Sequence, residues 1–184
     1  TTEPYIFSKK ELIQKWKKIL QAENRPIIGI NWQGNPNTEK DLLRGRSLLL
    51  DEFHPIANIT NYKLLSLQKG FGSEQLSKCS FRKSFVSCQY QVEQIVDFLE
   101  IAAIILNCDL VITSDTSVAH LAGGLGIKTW LLLKKIPEWR WGLEGEKTFW
   151  YPSMRLFRQS KQDNWHELMS RVSLELIKEY GMSI

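Results

Sequence analysis

The chain has 184 residues, 43% of them hydrophobic and 24% charged, enough for one ordinary α/β domain with a real core and too few for two. A net charge of +4, with the basic residues scattered along the chain, is a solvated surface and not a nucleic-acid footprint, so no nucleic-acid partner is expected. No apolar run approaches the length of a membrane span, and no charged-then-apolar leader is present.

In chain order, Ser8-Lys9-Lys10-Glu11 has the spacing of a capping box. Leu12, Ile13, Trp16, Ile19 and Leu20 then repeat at helical intervals, which predicts a helix over about residues 9–22. "PIIGINWQG", from Pro26, reads as a short buried strand opening into a glycine turn. "LLLDEFHPIAN", from Leu48, is predicted helical, and "YKLLSLQKG", from Tyr62, is the next strand. "FVSCQ", from Phe85, is a candidate short strand. Residues 91–107 carry apolar side chains densely enough for a single helix buried on much of its circumference. "DLVITSD" is a β-branched strand, "TSVAHLAGGLG" a short helix closed by glycines, and "KTWLLL" another strand. Trp165, Leu168, Val172, Leu176 and Ile177 give the tail an amphipathic helix over 164–180.

Strands alternating with helices predict a parallel sheet with helices on both faces. Ligands of such sheets bind beyond the carboxyl ends of the strands. Gln33-Gly34, Gln68-Lys69-Gly70 and Ser114-Asp115-Thr116 each follow a strand, so all three are expected on one rim. Thr116 and Ser117 open a helix whose free N–H groups suit a phosphate; equally, Asp115 or Thr116 is a simple N-cap. His120, one turn on, either faces that site or packs. Lys40, Arg44 and Arg46, in the polar loop after "WQGNP", are candidate diphosphate clamps or solvated charges, and Lys69 has the same two readings. The loop has neither the Gly-Lys-Ser/Thr ending of a Walker loop nor a G-x-G-x-x-G fingerprint. Trp139, Trp141, Trp150 and Tyr151 are expected to form mostly packing, with one ring open to the cleft. Cys79, Cys88 and Cys108 have no metal-ligand spacing, so neither a disulfide nor a structural metal is expected. Their thiols suit a reducing cytoplasm. The chain starts Thr1-Thr2-Glu3-Pro4 without an initiator Met and is read as a piece of a longer protein.

Taken together, "DLVITSDTSVAHLAGGLGIKTWLLL", "WQGNP", Arg46-Ser47, "PEWRW", "WYPSMRLFRQ" and Trp165 resemble the donor-binding half of GT-B glycosyltransferases. Within that class they resemble the heptosyltransferase-like family 9 and the TPR-linked glycosyltransferases. The resemblance runs from Pro26 to about Val172. It implies one carboxyl-terminal Rossmann-like domain, with a leading helix over 1–25 and a core over 26–180. It implies a nucleoside diphosphate sugar as substrate, no essential metal or other cofactor, and an acceptor domain or TPR repeats elsewhere in the parent protein. By this resemblance Gln33, Gly34 and Arg46 line the diphosphate, and Thr116 and Ser117 bind it through the helix amino terminus. The full candidate set is Gln33, Gly34, Asn35, Arg46, Lys69, Asp115, Thr116, Ser117, His120 and Arg140, with the catalytic base unassigned. The chain departs from the group at Glu100-Ile101, where Asp-Thr is usual. Two other readings compete: half of a nucleotide-sugar epimerase, for which Glu100 is the tempting carboxylate, and a non-catalytic interaction module.

Overall fold

The computed structural model describes residues 3–40 and 44–181. Five parallel strands form one sheet in the order β2-β1-β3-β4-β5: β1 Ile27–Asn31, β2 Lys63–Ser66, β3 Leu110–Ser114, β4 Thr129–Leu133 and β5 Met154–Arg158. Every residue of β1, β3 and β4 is buried, as expected where both faces of a parallel sheet are covered. On one face lie α2 (His54–Ala57) and α6 (Trp165–Tyr180), closing over Ile28, Ile30, Ile112, Trp130 and Phe157. On the other lie α1 (Lys10–Leu20), α4 (Phe98–Ile105) and α5 (Ser117–Gly124), closing over Leu65, Leu67 and Val111.

The chain leaves β1 to one side, for β2, and returns past it to β3. Right-handed crossovers taken in opposite directions put their helices on opposite faces. A crevice therefore opens between the carboxyl ends of β1 and β3, the switch point where ligands of open α/β sheets bind.

Four local readings of the sequence are corrected. Ser8 does not cap α1: Lys9 holds the N-cap position, and the Ser8 hydroxyl donates to the Leu99 carbonyl at 2.6 Å, tying the leading segment to α4. The helix expected over 91–107 is two, α3 (Gln89–Glu93) and α4, because Asp97 takes an extended conformation and its carboxylate accepts the Leu99 N–H at 3.2 Å. "FVSCQ" contributes only an isolated bridge from Phe85 to Leu64. β5 was not expected, because Arg155 and Arg158 interrupt its apolar pattern; as an edge strand it keeps Met154, Leu156 and Phe157 buried, while Arg155 pairs with Glu146 and Glu175 and Arg158 turns to the carbonyls of the preceding loop. The aromatic stretch is also less packed than expected. Trp141 and Tyr151 are buried, whereas Trp139, Phe149 and Trp150 are exposed. Arg158 holds that loop by donating to the carbonyls of Trp141, Gly142, Glu144 and Gly145.

Candidate functional site

A cleft of about 400 Å³ lies at the carboxyl ends of β1, β2 and β3. One wall is polar and is built from Gln33, Gly34, Asn35, Arg46, Lys69, Thr116 and Ser117; the other is apolar. Seven of the ten candidates are thus brought together. The strand-then-polar pattern converges on one rim as expected.

The polar wall rests on a buried network. Gln68 is 3% exposed. Its Oε1 accepts from Asn31 Nδ2 (2.8 Å), Trp32 N (3.1 Å) and Gln33 N (3.0 Å), and its Nε2 donates to the carbonyls of Gln33 (2.8 Å) and Phe71 (2.7 Å). The Asn31 Oδ1 accepts in turn from Thr116 Oγ1 at 2.8 Å and Thr113 Oγ1 at 3.2 Å. The loops after β1, β2 and β3 are therefore locked to one another by two amides. Neither Asn31 nor Gln68 was a candidate from sequence; the signal available was an amide ending an otherwise apolar run, where an unpaired polar group would be costly.

Arg46 folds its guanidinium against Gly34. A methyl at Gly34 would meet the Arg46 Nη2 at 2.8 Å, so glycine makes room for the charge. Glu39 accepts from Arg46 Nε at 3.4 Å and from the Ser47 hydroxyl, and Ser47 Oγ accepts the Gly34 N–H at 2.9 Å. Lys69 donates to the Val92 carbonyl, and its burial lowers the amine's pKa from its ordinary value. Thr116 is the N-cap residue of α5, with φ −136° and ψ 176°; its hydroxyl is turned to Asn31 and away from the helix. Ser117, the first helical residue, is exposed to the cleft with its N–H at the positive end of α5.

Asp115, His120 and Arg140 do not line this cleft. They gather on the β4–β5 side of α5. His120 Nδ1 is 2.9 Å from the Tyr151 hydroxyl and its ring stacks on Trp141 at 5.4 Å, which draws it away from the polar wall. Burial and then the charge of Arg140 lower its pKa, against the opposing pull of Asp115 and Glu138. Arg140 pairs with Glu138 at 2.6 Å. Gly123 and Gly124 are packing glycines: a Cβ at Gly123 would strike the Tyr151 ring at 2.5 Å, and one at Gly124 would meet Ile6 at 2.5 Å. Glu100 accepts from Trp16 Nε1 at 3.0 Å and pairs with Lys15, so it fastens α1 to α4 and lies outside the cleft.

The three cysteines are free thiols, and burial pushes Cys108 up to about 12. Among the described residues no group of three or more His, Cys, Asp and Glu is placed to hold a metal ion, and no helix is long and apolar enough to cross a membrane.

Fold and cleft define a class: a Rossmann-like α/β unit with a cleft at the switch point of a parallel sheet. Solved structures share the fold. The ADP-heptose LPS heptosyltransferase II of E. coli superposes with a TM-score of 0.59 at 12% identity, over 95% of this chain and 54% of that one. A glycosyl transferase family 9 protein from Veillonella parvula superposes with a TM-score of 0.50 at 15% identity, over 98% of this chain and 46% of that one. The chain thus spans about half the length of the structures it resembles, and at these identities the likeness establishes the fold. No family model and no curated protein sequence matches the chain.

Proposed function

We propose that this chain is the donor-binding domain of a glycosyltransferase, holding a nucleoside diphosphate sugar while a second domain of a longer protein, or TPR repeats attached to it, presents the acceptor. The observation that carries this reading is the convergence of Arg46, Gly34 and the amino terminus of α5 on one cleft at the sheet's switch point. A guanidinium and aligned N–H groups are what a diphosphate needs, and they favour the charge that builds on it as the sugar leaves. Arg46 and the helix terminus supply positive charge without a metal, so donor binding is expected to survive chelator. Free thiols fit a reducing compartment. The fold likeness to glycosyltransferases supports the same reading. The epimerase alternative loses its carboxylate, since Glu100 is engaged with α1.

The test is calorimetric titration of the chain with ADP, UDP and GDP, with and without EDTA. A hydrogen bond to a charged group contributes about 1.5–3 kcal/mol, so Arg46→Ala should weaken binding roughly tenfold to a hundredfold. If the wild type binds none of the three, the reading fails. If Arg46→Ala binds equally well, a different cation serves the diphosphate.

A further inference from the structure

The second wall of the cleft is apolar throughout: Leu67, Phe71, Val96, Phe98, Ile101 and Val118. Three of these stand open to solvent, Phe71 at 49%, Val96 at 81% and Phe98 at 58% exposure, in a cleft whose charged lining residues are the cations Arg46 and Lys69. Their exposure is constructed. Phe71 sits between Gly70 and Gly72, both left-handed (φ 62° and 86°), in a turn that residues with a Cβ rarely adopt, and the Gln68 amide holds its carbonyl at 2.7 Å. Val96 and Phe98 flank the break between α3 and α4, and Phe98 is fixed in the first turn of α4.

No side chain on this wall can hydrogen-bond. Most polar side chains beside it are already engaged. Asp97 caps α4, Lys69 donates to the Val92 carbonyl, Gln89 accepts the Ser66 N–H, and Gln68 holds the rim. Backbone groups and the Gln33 side-chain amide, whose Oε1 already accepts from Gln75, are left to meet a base edge, and every nucleobase carries both donors and acceptors that can do so. An apolar surface separates ligands of similar size by about 10- to 200-fold, far less than a site built on side-chain hydrogen bonds.

We infer that this apolar wall holds the nucleobase by stacking and contact, and that the cleft takes nucleoside diphosphates with little discrimination between bases. The inference rests on the donor-binding reading above. It is tested by titrating the 184-residue chain with ADP, CDP, GDP, UDP and inorganic pyrophosphate at one salt concentration, then repeating with Phe71→Ala and Phe98→Ala. The four nucleotides should bind within about 200-fold of one another and tighter than pyrophosphate. Each variant should weaken all four by about fivefold or more. Pyrophosphate binding should be unchanged in both, which also certifies that they fold. A preference for one base beyond about 200-fold overturns the inference, as do variants that bind nucleotides like wild type. Pyrophosphate binding with no gain from any nucleoside also sinks the apolar wall while leaving the phosphate site standing. If neither pyrophosphate nor nucleotide binds, the donor-binding reading fails and takes this inference with it.

Discussion

Gln68→Leu removes the amide that joins three loops while keeping an apolar side chain of similar size. Three donors lose their acceptor: the Asn31 side chain and the backbone N–H groups of Trp32 and Gln33. A buried donor left unpaired costs about 1–3 kcal/mol. The Gln33 side borders the cleft, where water can replace part of the loss, so the sum is taken as about 3–5 kcal/mol. Against the roughly 5–15 kcal/mol that stabilise a whole domain, that is a large fraction. Gln68→Glu separates the two halves of the amide. It keeps three accepted bonds but turns a second acceptor toward the carbonyls of Gln33 and Phe71, so it too should destabilise, by less if the Oε1 bonds dominate. Urea denaturation followed by circular dichroism gives the stabilities, and amide hydrogen exchange at Trp32 and Gln33, faster in both variants, localises the damage. A Gln68→Leu protein within about 1 kcal/mol of wild type, with protected Trp32 and Gln33 amides, would refute the claim that this network builds the rim.

Ser117→Pro should spare the fold yet weaken nucleoside diphosphate binding in calorimetry: Ser117 is the first helical residue, where proline is tolerated, and Thr116 before it is already extended. Thr116→Pro, by contrast, should destabilise, since φ −136° is far from the proline ring's constraint and the hydroxyl bonded to Asn31 is lost; comparable thermal midpoints for the two variants would count against this placement of the helix start. Gly123→Ala drives a methyl into the Tyr151 ring and should cost about 1–3 kcal/mol in a urea titration, a neutral result showing that α5 can shift freely. Glu175 is held down to about 2 by its hydrogen bonds with Lys178 and then Arg155. A carboxyl lowered in the folded state stabilises above its unfolded pKa near 4.5 and loses that contribution as pH falls toward about 2, so Glu175→Gln should flatten the acid limb of stability against pH; an unchanged limb would place the acid sensitivity elsewhere.

The sheet was legible because its strands obey one simple rule. β1, β3 and β4 are nearly unbroken apolar runs, each ending in a glycine or polar turn, and their short length between turn residues marks them as buried strands. α1 and α6 show the helical repeat just as plainly. What periodicity missed is what tertiary context decided. β5 carries arginines because it is an edge, and its guanidiniums find Glu146, Glu175 and the carbonyls of the preceding loop, none of which the local pattern reveals. The break at Asp97 was hidden because apolar residues continue on both sides of it, even though an aspartate before an apolar run is a sound capping signal.

The candidate site divides along the same line. Residues whose position follows from the backbone, such as Gly34 after β1, Lys69 after β2 and Ser117 at the start of α5, reached the cleft because strand ends in a parallel sheet must. Residues whose placement depends on a partner far along the chain did not. His120 is only three residues beyond Ser117, but Trp141 and Tyr151 on the β4–β5 connection fix where its ring goes. The bridging role of Asn31 and Gln68 was hidden for the opposite reason, although Gln68 was expected on the rim. Each amide reads locally as the polar end of a strand, and its role exists only when the ends of β1, β2 and β3 meet, so that one carbonyl oxygen can accept from three donors at once. A cleft of this kind is read from sequence through its strand ends, while the amides that hold those ends in register emerge only from the assembled sheet.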